Sequence, residues 1–74
     1  MRSPPIPCEQ ALQVARLDAE RAYGDLSPFR VIISLEKDGW HVDYELKDPQ
    51  RNGGSPHFII DPISGKITWK QYQQ

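Results

Sequence analysis

Residues 53–67 form the segment that most constrains the fold of this 74-residue chain. A Gly-Gly pair leads into the apolar run 58–60, and the turn sequence Pro62-Ile63-Ser64-Gly65 separates that run from 67–69. Proline presets the backbone angle of the second turn residue and glycine suits the exit, so the spacing predicts a β-hairpin. The four-residue turn predicts these opposing pairs: Ile60 with Ile67, and Phe58 with Trp69.

An earlier hairpin is predicted from two alternating segments. Residues 29–36 and 40–47 alternate between apolar and polar side chains, as strands with one buried face do. Lys37-Asp38-Gly39 separates them, and Asp-Gly favours a two-residue turn whose twist matches antiparallel strands. A loop made of Asp38 and Gly39 predicts these pairs: Leu35 with Val42, Ile33 with Tyr44, and Val31 with Leu46.

A helix is predicted over residues 8–23, after an irregular, proline-rich arm at 1–7. Glu9 suits the positive end of the helix dipole, and Gly24 is a natural helix stop. Apolar positions recur at helical spacing and form one stripe: Leu12, Ala15, Ala19, Ala22 and Tyr23, with Ala11 and Val14 beside it. We therefore predict a single small α+β domain over 8–74, with one N-terminal helix packed on a four-stranded antiparallel sheet made of two β-hairpins.

Composition argues against several functional classes. The 9 basic and 10 acidic residues are nearly balanced and scattered, whereas nucleic-acid binding needs a concentrated positive face. The longest apolar run, Val31–Ile33, is far shorter than the ~20 residues that span a bilayer. Cys8 is the only cysteine, which fits a reducing cytoplasm. We expect a cytoplasmic protein without a nucleic-acid or membrane partner.

Three side chains are candidates for chemistry. His41 and Asp43 project from one face of the second strand, and His57 comes later in the chain. They would form a weak transition-metal site if the strands adjoined, but no third ligand at diagnostic spacing accompanies them. Asp43 and Glu45 alternate on an exposed face next to Lys47, which favours a salt-bridged surface over an acid–base pair. With no nucleophile elbow or phosphate-binding loop either, we predict no enzymatic activity, metal or cofactor.

The order of several motifs resembles two bacterial families. These motifs are Ala11, Ala15 and Ala19 before Tyr23-Gly24, then Pro28-Phe29, Gly39-Trp40-His41-Val42, Gly53-Gly54, and Phe58-Ile59-Ile60-Asp61 with Ser64-Gly65-Lys66-Ile67. One family is the small immunity proteins with a nuclear-transport-factor-like fold, which share a Tyr-Gly helix end, a Trp-x-Val strand, a Gly-Gly loop and a Gly-Lys-Ile hairpin. The other is the PepSY domain, a helix-and-hairpin module that ends in Asp-x-x-(Ser/Thr)-Gly-(Lys/Glu)-Ile.

The resemblance implies a small bacterial protein-binding module. An immunity-type inhibitor would neutralise a cognate toxin by occluding its site, and a PepSY-like inhibitor or regulator would bind a peptidase or a peptide. A homodimeric structural protein is a third possibility, because a chain this short buries only about 60% of its unfolded surface and a second copy would add to a thin core. The expected contact surface is the 48–57 loop and the charged face of the second strand: His41, Asp43, Glu45, Arg51, Asn52 and His57.

Overall fold

One helix lies on a four-stranded antiparallel sheet in the computed structural model, which describes residues 4–48 and 55–72. The strands follow one another across the sheet in chain order, so β1 and β4 form its two edges. This arrangement confirms the predicted α+β fold. The elements are α1 (Cys8–Tyr23), β1 (Phe29–Glu36), β2 (Gly39–Leu46), β3 (Pro56–Ile60) and β4 (Ile67–Tyr72).

The core lies between α1 and the two central strands. Ala11, Ala15 and Ala19 are fully buried, and their small side chains let the helix backbone approach the sheet closely. They face a buried set from the sheet: Val42, Tyr44, Phe58 and Ile60. The predicted apolar stripe is therefore correct in its centre but wrong at Ala22, which is exposed. Because α1 packs on β2 and β3, the inner side of β1 is only partly covered.

The first hairpin has a register two residues away from the predicted one. Its loop is Lys37-Asp38, so Glu36 pairs with Gly39 and Ile33 pairs with Val42. A two-residue shift leaves every side chain on its predicted face, because the period of a strand is two. Gly39 belongs to β2, where its φ is +132° and a Cβ atom would lie 2.4 Å from the carbonyl oxygen of Ile60. This glycine thus serves the close contact between β2 and β3 and not the turn.

The second hairpin contains a β-bulge that the sequence pattern did not predict. Ile60 pairs with Ile67 as predicted, but the register then shifts, and Ile59 pairs with Trp69. The extra residue in β4 is Thr68, whose hydroxyl donates a hydrogen bond to the carbonyl of Ile59 at 3.1 Å. The predicted pairing of Trp69 with Phe58 is wrong, because a bulge reverses the faces of the residues that follow it.

The bulge places two polar-tipped side chains of β4 on the helix side of the sheet. Lys70 pairs with Phe58 in register, and its Nζ lies 3.3 Å from Oδ1 of Asp18 on α1. The Tyr72 hydroxyl donates a hydrogen bond to the same carboxylate. These contacts fix the β4 edge of the sheet to the helix. They also lower the pKa of Asp18, and the hydrogen bond from Tyr72 is the largest cause.

The segment before α1 closes one end of the core. The backbone N–H of Ile6 donates to the carbonyl of Pro62 at 2.6 Å, and the indole N–H of Trp40 donates to the carbonyl of Ile6 at 3.1 Å. The buried side of Trp40 is thereby covered and its polar atom is satisfied.

Candidate functional site

The sheet face turned away from α1, called the outer face below, has no described element packed against it. Its side chains come from all four strands and include both charged and apolar residues: Arg30, Ile32, Ser34 and Glu36 from β1, His41, Asp43 and Glu45 from β2, His57 and Ile59 from β3, and Trp69 and Gln71 from β4. Ile32 is 47% exposed and Trp69 is 44% exposed. The outer face is therefore a mixed surface in which large apolar groups stay accessible to water.

Three rings form a row across the outer face. The His41 and His57 ring centroids are 5.5 Å apart, and the His57 and Trp69 centroids are 5.3 Å apart, both in edge-to-face arrangements. The row exists because β2, β3 and β4 are neighbours and because the bulge at Thr68 turns Trp69 outward. It makes a continuous, rigid strip of ring surface over three strands.

Carboxylates hold both histidines of this row. Nδ1 of His57 is hydrogen-bonded to Oδ1 of Asp43, the residue directly opposite it on β2. Nε2 of His41 lies 2.6 Å from Oδ1 of Asp38 in the preceding turn. The hydrogen bond with His41 lowers the pKa of Asp38. Each ring is therefore held in orientation by a neighbouring carboxylate.

The surroundings of His57 favour the neutral form of its ring. Partial burial lowers its pKa below the ordinary value of 6.5, and the adjacent His41 ring lowers it further. The charge of the nearby Asp38 carboxylate acts in the opposite direction, but the net direction is downward. The hydrogen bond between Nδ1 of His57 and Oδ1 of Asp43 holds the ring beside Trp69.

Four of the six predicted contact residues lie on the outer face. Asp43 and His57 oppose each other across β2 and β3, and His41 is opposite Ile59. Glu45 accepts a hydrogen bond from the guanidinium of Arg30 at 3.3 Å. The two remaining predicted residues, Arg51 and Asn52, lie outside the described residues.

Trp69 is the residue of this face that sequence reasoning assigned wrongly to the core. Regular alternation from Ile67 predicted an inward side chain. The available signal was on the helix, where Asp18 lies next to the buried Ala19 and so needs a cation or donor from the sheet. Only a shifted β4 brings Lys70 to that carboxylate, and the same shift turns Trp69 outward.

A groove on the other side of the sheet separates α1 from β1. It has a volume of about 400 Å³ and is lined by Leu12, Arg16, Val31 and Tyr44 among others. The guanidinium of Arg16 is held at its rim by Glu20, with 2.6 Å between Nε and Oε1. Burial raises the pKa of Tyr44, whose hydroxyl therefore stays protonated at neutral pH. The groove has Leu12 and Val31 as its aliphatic walls and polar groups from Glu9, Gln13 and Arg16 at its rim, and it lies where the helix does not cover β1.

Within residues 4–48 and 55–72, no group of three or more His, Cys, Asp or Glu side chains is arranged to hold a metal ion. The helix in this part of the chain is neither long nor apolar enough to cross a membrane. Comparison of the chain with protein-family models, with curated proteins and with solved structures gave no match. The resemblance to immunity proteins and PepSY domains accordingly stays a prediction.

Proposed function

We propose that this chain is a non-enzymatic, cytoplasmic protein-binding module that inhibits a cognate bacterial toxin by covering it with the outer face of the sheet. The observation that carries the proposal is the exposed Trp69, which lies in the ring row with His57 on a sheet face that no described element covers. Tryptophan is enriched among the residues that dominate binding energy at protein interfaces. Its exposure here has a structural cause, the bulge at Thr68, and is not the fraying of a terminus.

The composition of the outer face suits a protein partner better than a small ligand. Ile59 and Trp69 form an apolar pair on β3 and β4, Ile32 adds apolar surface on β1, and the polar side chains of His41 and Asp43 on β2 lie between them. Accessible aromatic and aliphatic groups next to charged ones are typical of protein interfaces. No described element encloses the face, whereas small-molecule sites are concave and bury most of their ligand.

The charge of the face indicates the chemistry of the partner. Among the described residues on or beside it, carboxylates outnumber cations by four to three: Glu36, Asp38, Asp43 and Glu45 against Arg30, Lys37 and Lys47. An acidic surface is complementary to a basic one, and such complementarity accelerates association and selects partners. A toxin that cleaves nucleic acid carries a basic surface, because it must bind phosphates. A nuclease-type toxin is therefore the partner that this face fits best.

Affinity capture from a lysate of the source cells tests the proposal. The baits are the wild type, the outer-face variant Asp43→Asn/Glu45→Gln, and a matched control, Glu9→Gln/Glu20→Gln, which removes the same charge from the helix. We expect the wild type and the control to retain one stoichiometric nuclease-type or other toxin, and the outer-face variant to retain less, with the difference shrinking as salt is raised.

Two outcomes would contradict the proposal. Equal retention of the toxin by all three baits would exclude the acidic part of the outer face as its binding surface. Retention of a peptidase in place of a toxin would favour the PepSY-like interpretation.

A further inference from the structure

The two edges of the sheet differ in how they are protected against strand addition. The β4 edge carries a bulge at Thr68, a feature that natural sheets use to block edge pairing. β1 has eight residues in uninterrupted register with β2, and it contains neither proline nor bulge. A long, regular and uncovered edge strand is a ready-made template for another strand.

The backbone groups that β1 directs to its open edge can be assigned. In an antiparallel ladder, residues alternate between those that exchange both backbone hydrogen bonds with the neighbouring strand and those that exchange none. The N–H of Lys47 donates to the carbonyl of Pro28 at 2.9 Å, and Glu36 pairs with Gly39 across the two-residue loop, so the even-numbered positions bond to β2. Val31, Ile33 and Leu35 therefore direct their N–H and C=O groups away from the sheet.

Side chains at the same three positions leave apolar surface uncovered on the helix side. Val31 is 43% exposed and Leu35 is 47% exposed, because α1 lies over β2 and β3 and leaves the groove described above. Ile33 between them is partly buried. The open backbone groups and the exposed aliphatic groups thus belong to one surface, which we call the β1 edge (residues 29–36).

We propose that two copies of the chain pair through the β1 edge, antiparallel and in register, with a two-fold axis at Ile33. This register places Val31 of one copy opposite Leu35 of the other, so the exposed aliphatic groups cover each other. On the outer face it places Arg30 of one copy opposite Glu36 of the other, and symmetry forms that pair twice. Glu36 makes no ion pair among the described residues, so its carboxylate is available for this contact.

Neighbouring registers fit less well. A shift of one residue turns apolar side chains to the opposite face. A shift of two in one direction pairs Arg30 with Ser34 and sets Leu35 against Phe29, whose N–H already donates to the carbonyl of Leu26 at 3.0 Å. The shift in the other direction places Ile32 opposite Glu36. The register centred on Ile33 alone combines open backbone groups, aliphatic contact and charge complementarity.

The dimer would double the four-stranded sheet and place two outer faces side by side on one surface. A partner that is itself dimeric could then bind both faces, with a gain in avidity. This inference does not depend on the proposed function, because it uses the edge of the sheet and not the outer face. If dimerisation through the β1 edge is refuted, the proposed function of the outer face is unaffected, and the reverse also holds.

Cysteine cross-linking reads the register directly. In a Cys8→Ser background, Ile32→Cys/Ser34→Cys places the new thiols in two symmetric non-hydrogen-bonded pairs, with Cα atoms about 4.5 Å apart. That separation lies within the range of about 4.4–6.8 Å that a disulfide spans. The single variants Ile32→Cys and Ser34→Cys leave their thiols diagonal to each other, at about 7–8 Å. We expect the double variant to form a covalent dimer on mild oxidation and the single variants to remain monomers under denaturing electrophoresis.

The alternatives give distinct patterns. Cross-linking of Ile32→Cys alone or of Ser34→Cys alone would overturn the register, since each belongs to one of the two shifted pairings. Absence of a covalent dimer in all three folded variants would overturn the interface.

Sedimentation equilibrium with charge reversal tests the interface without a covalent bond. Arg30→Glu and Glu36→Arg should each raise the dimer Kd by at least about tenfold, because like charges then face each other. The double reversal Arg30→Glu/Glu36→Arg should restore the dimer. Glu45→Gln, which removes the intrachain partner of Arg30, should leave the dimer Kd unchanged. A wild type that stays monomeric up to about 1 mM would overturn the proposal. That result would instead fit a β1 edge that accepts only an extended segment of another protein.

Discussion

Gly39 gives the sharpest test of how the two hairpins meet. A Cβ atom at this position would lie 2.4 Å from the Ile60 carbonyl oxygen, 3.2 Å from the Ile60 carbonyl carbon and 3.4 Å from Cδ of Pro62. The first two atoms are backbone, so no side-chain rotation can relieve the contact. The residue also has a φ of +132°, a region that L-amino acids rarely adopt. Gly39→Ala must therefore distort both its own backbone and the β2–β3 spacing.

The expected cost follows from these two contributions. An unfavourable backbone conformation costs about 1–3 kcal/mol, and overpacking a tight contact costs about another 1–3 kcal/mol. A domain of this length has a free energy of unfolding of roughly 4–11 kcal/mol. We therefore expect Gly39→Ala to reduce the free energy of unfolding by about 2–6 kcal/mol, which is a large share of the total. The melting temperature should fall by roughly 10 °C or more.

Gly24 provides the matched control. Its φ is +79°, but a Cβ there would meet no atom within 4 Å. Gly24→Ala therefore carries the backbone cost alone, about 1–3 kcal/mol. Urea unfolding of the two variants and the wild type, followed by circular dichroism, measures the difference. Equal losses at the two positions would refute the close β2–β3 contact and, with it, the observed register of the first hairpin.

Further predictions concern the ionisable groups. Asp18→Asn should reduce the free energy of unfolding by about 1–3 kcal/mol at pH 7, because the hydrogen bonds from Tyr72 and Lys70 lose a charged acceptor. Folding lowers the pKa of Asp18, so the extra stability of the wild type is complete above about pH 4 and is lost as pH falls through the folded pKa. Urea unfolding of the wild type and of Asp18→Asn at several pH values should show that their free energies of unfolding converge in acid. The pKa of Tyr72 is raised to about 12, so the free energy of unfolding should also fall as pH rises above the ordinary tyrosine pKa of 10.0. Absorbance titration of the wild type and of Tyr72→Phe should show that the tyrosine that ionises at the highest pH is Tyr72. NMR titration should give His57 a pKa below 6.5 that rises in His41→Ala; an unchanged or lower value in the variant would contradict the ring contact.

The parts of the fold that depend on local periodicity were predictable. The bounds of α1 and β1 match the prediction because proline, glycine and apolar spacing act within a few residues of the chain. The register of β1 with β2 was not predictable in the same way. A turn at residues 37–38 and a turn at 38–39 both leave the same side chains of β1 and β2 on the buried face, and only the close contact of Gly39 with Ile60 distinguishes the two registers.

In the candidate site, too, the features that depend on local alternation were predictable and those that depend on long-range contacts were not. His41, Asp43 and Glu45 were assigned to one outward face from alternation alone, and the structure places them there. The contact of Asp43 with His57 depends on β2 and β3 being neighbours, which alternation does not reveal. The outward position of Trp69 depends on the bulge in β4, and the same bulge brings Lys70 and Tyr72 to Asp18 on the helix. Regular alternation along β4 does not predict either placement.

Titration calorimetry with the captured partner tests the proposal that the outer face binds a protein through Trp69. Trp69→Ala removes the exposed indole beside His57, and Leu17→Ala removes an exposed apolar side chain from the helix surface. We expect Trp69→Ala to weaken binding by about 2 kcal/mol or more, roughly a 30-fold increase in Kd, while Leu17→Ala leaves the Kd unchanged. Equal Kd values for the wild type and Trp69→Ala, with both proteins folded, would contradict the claim.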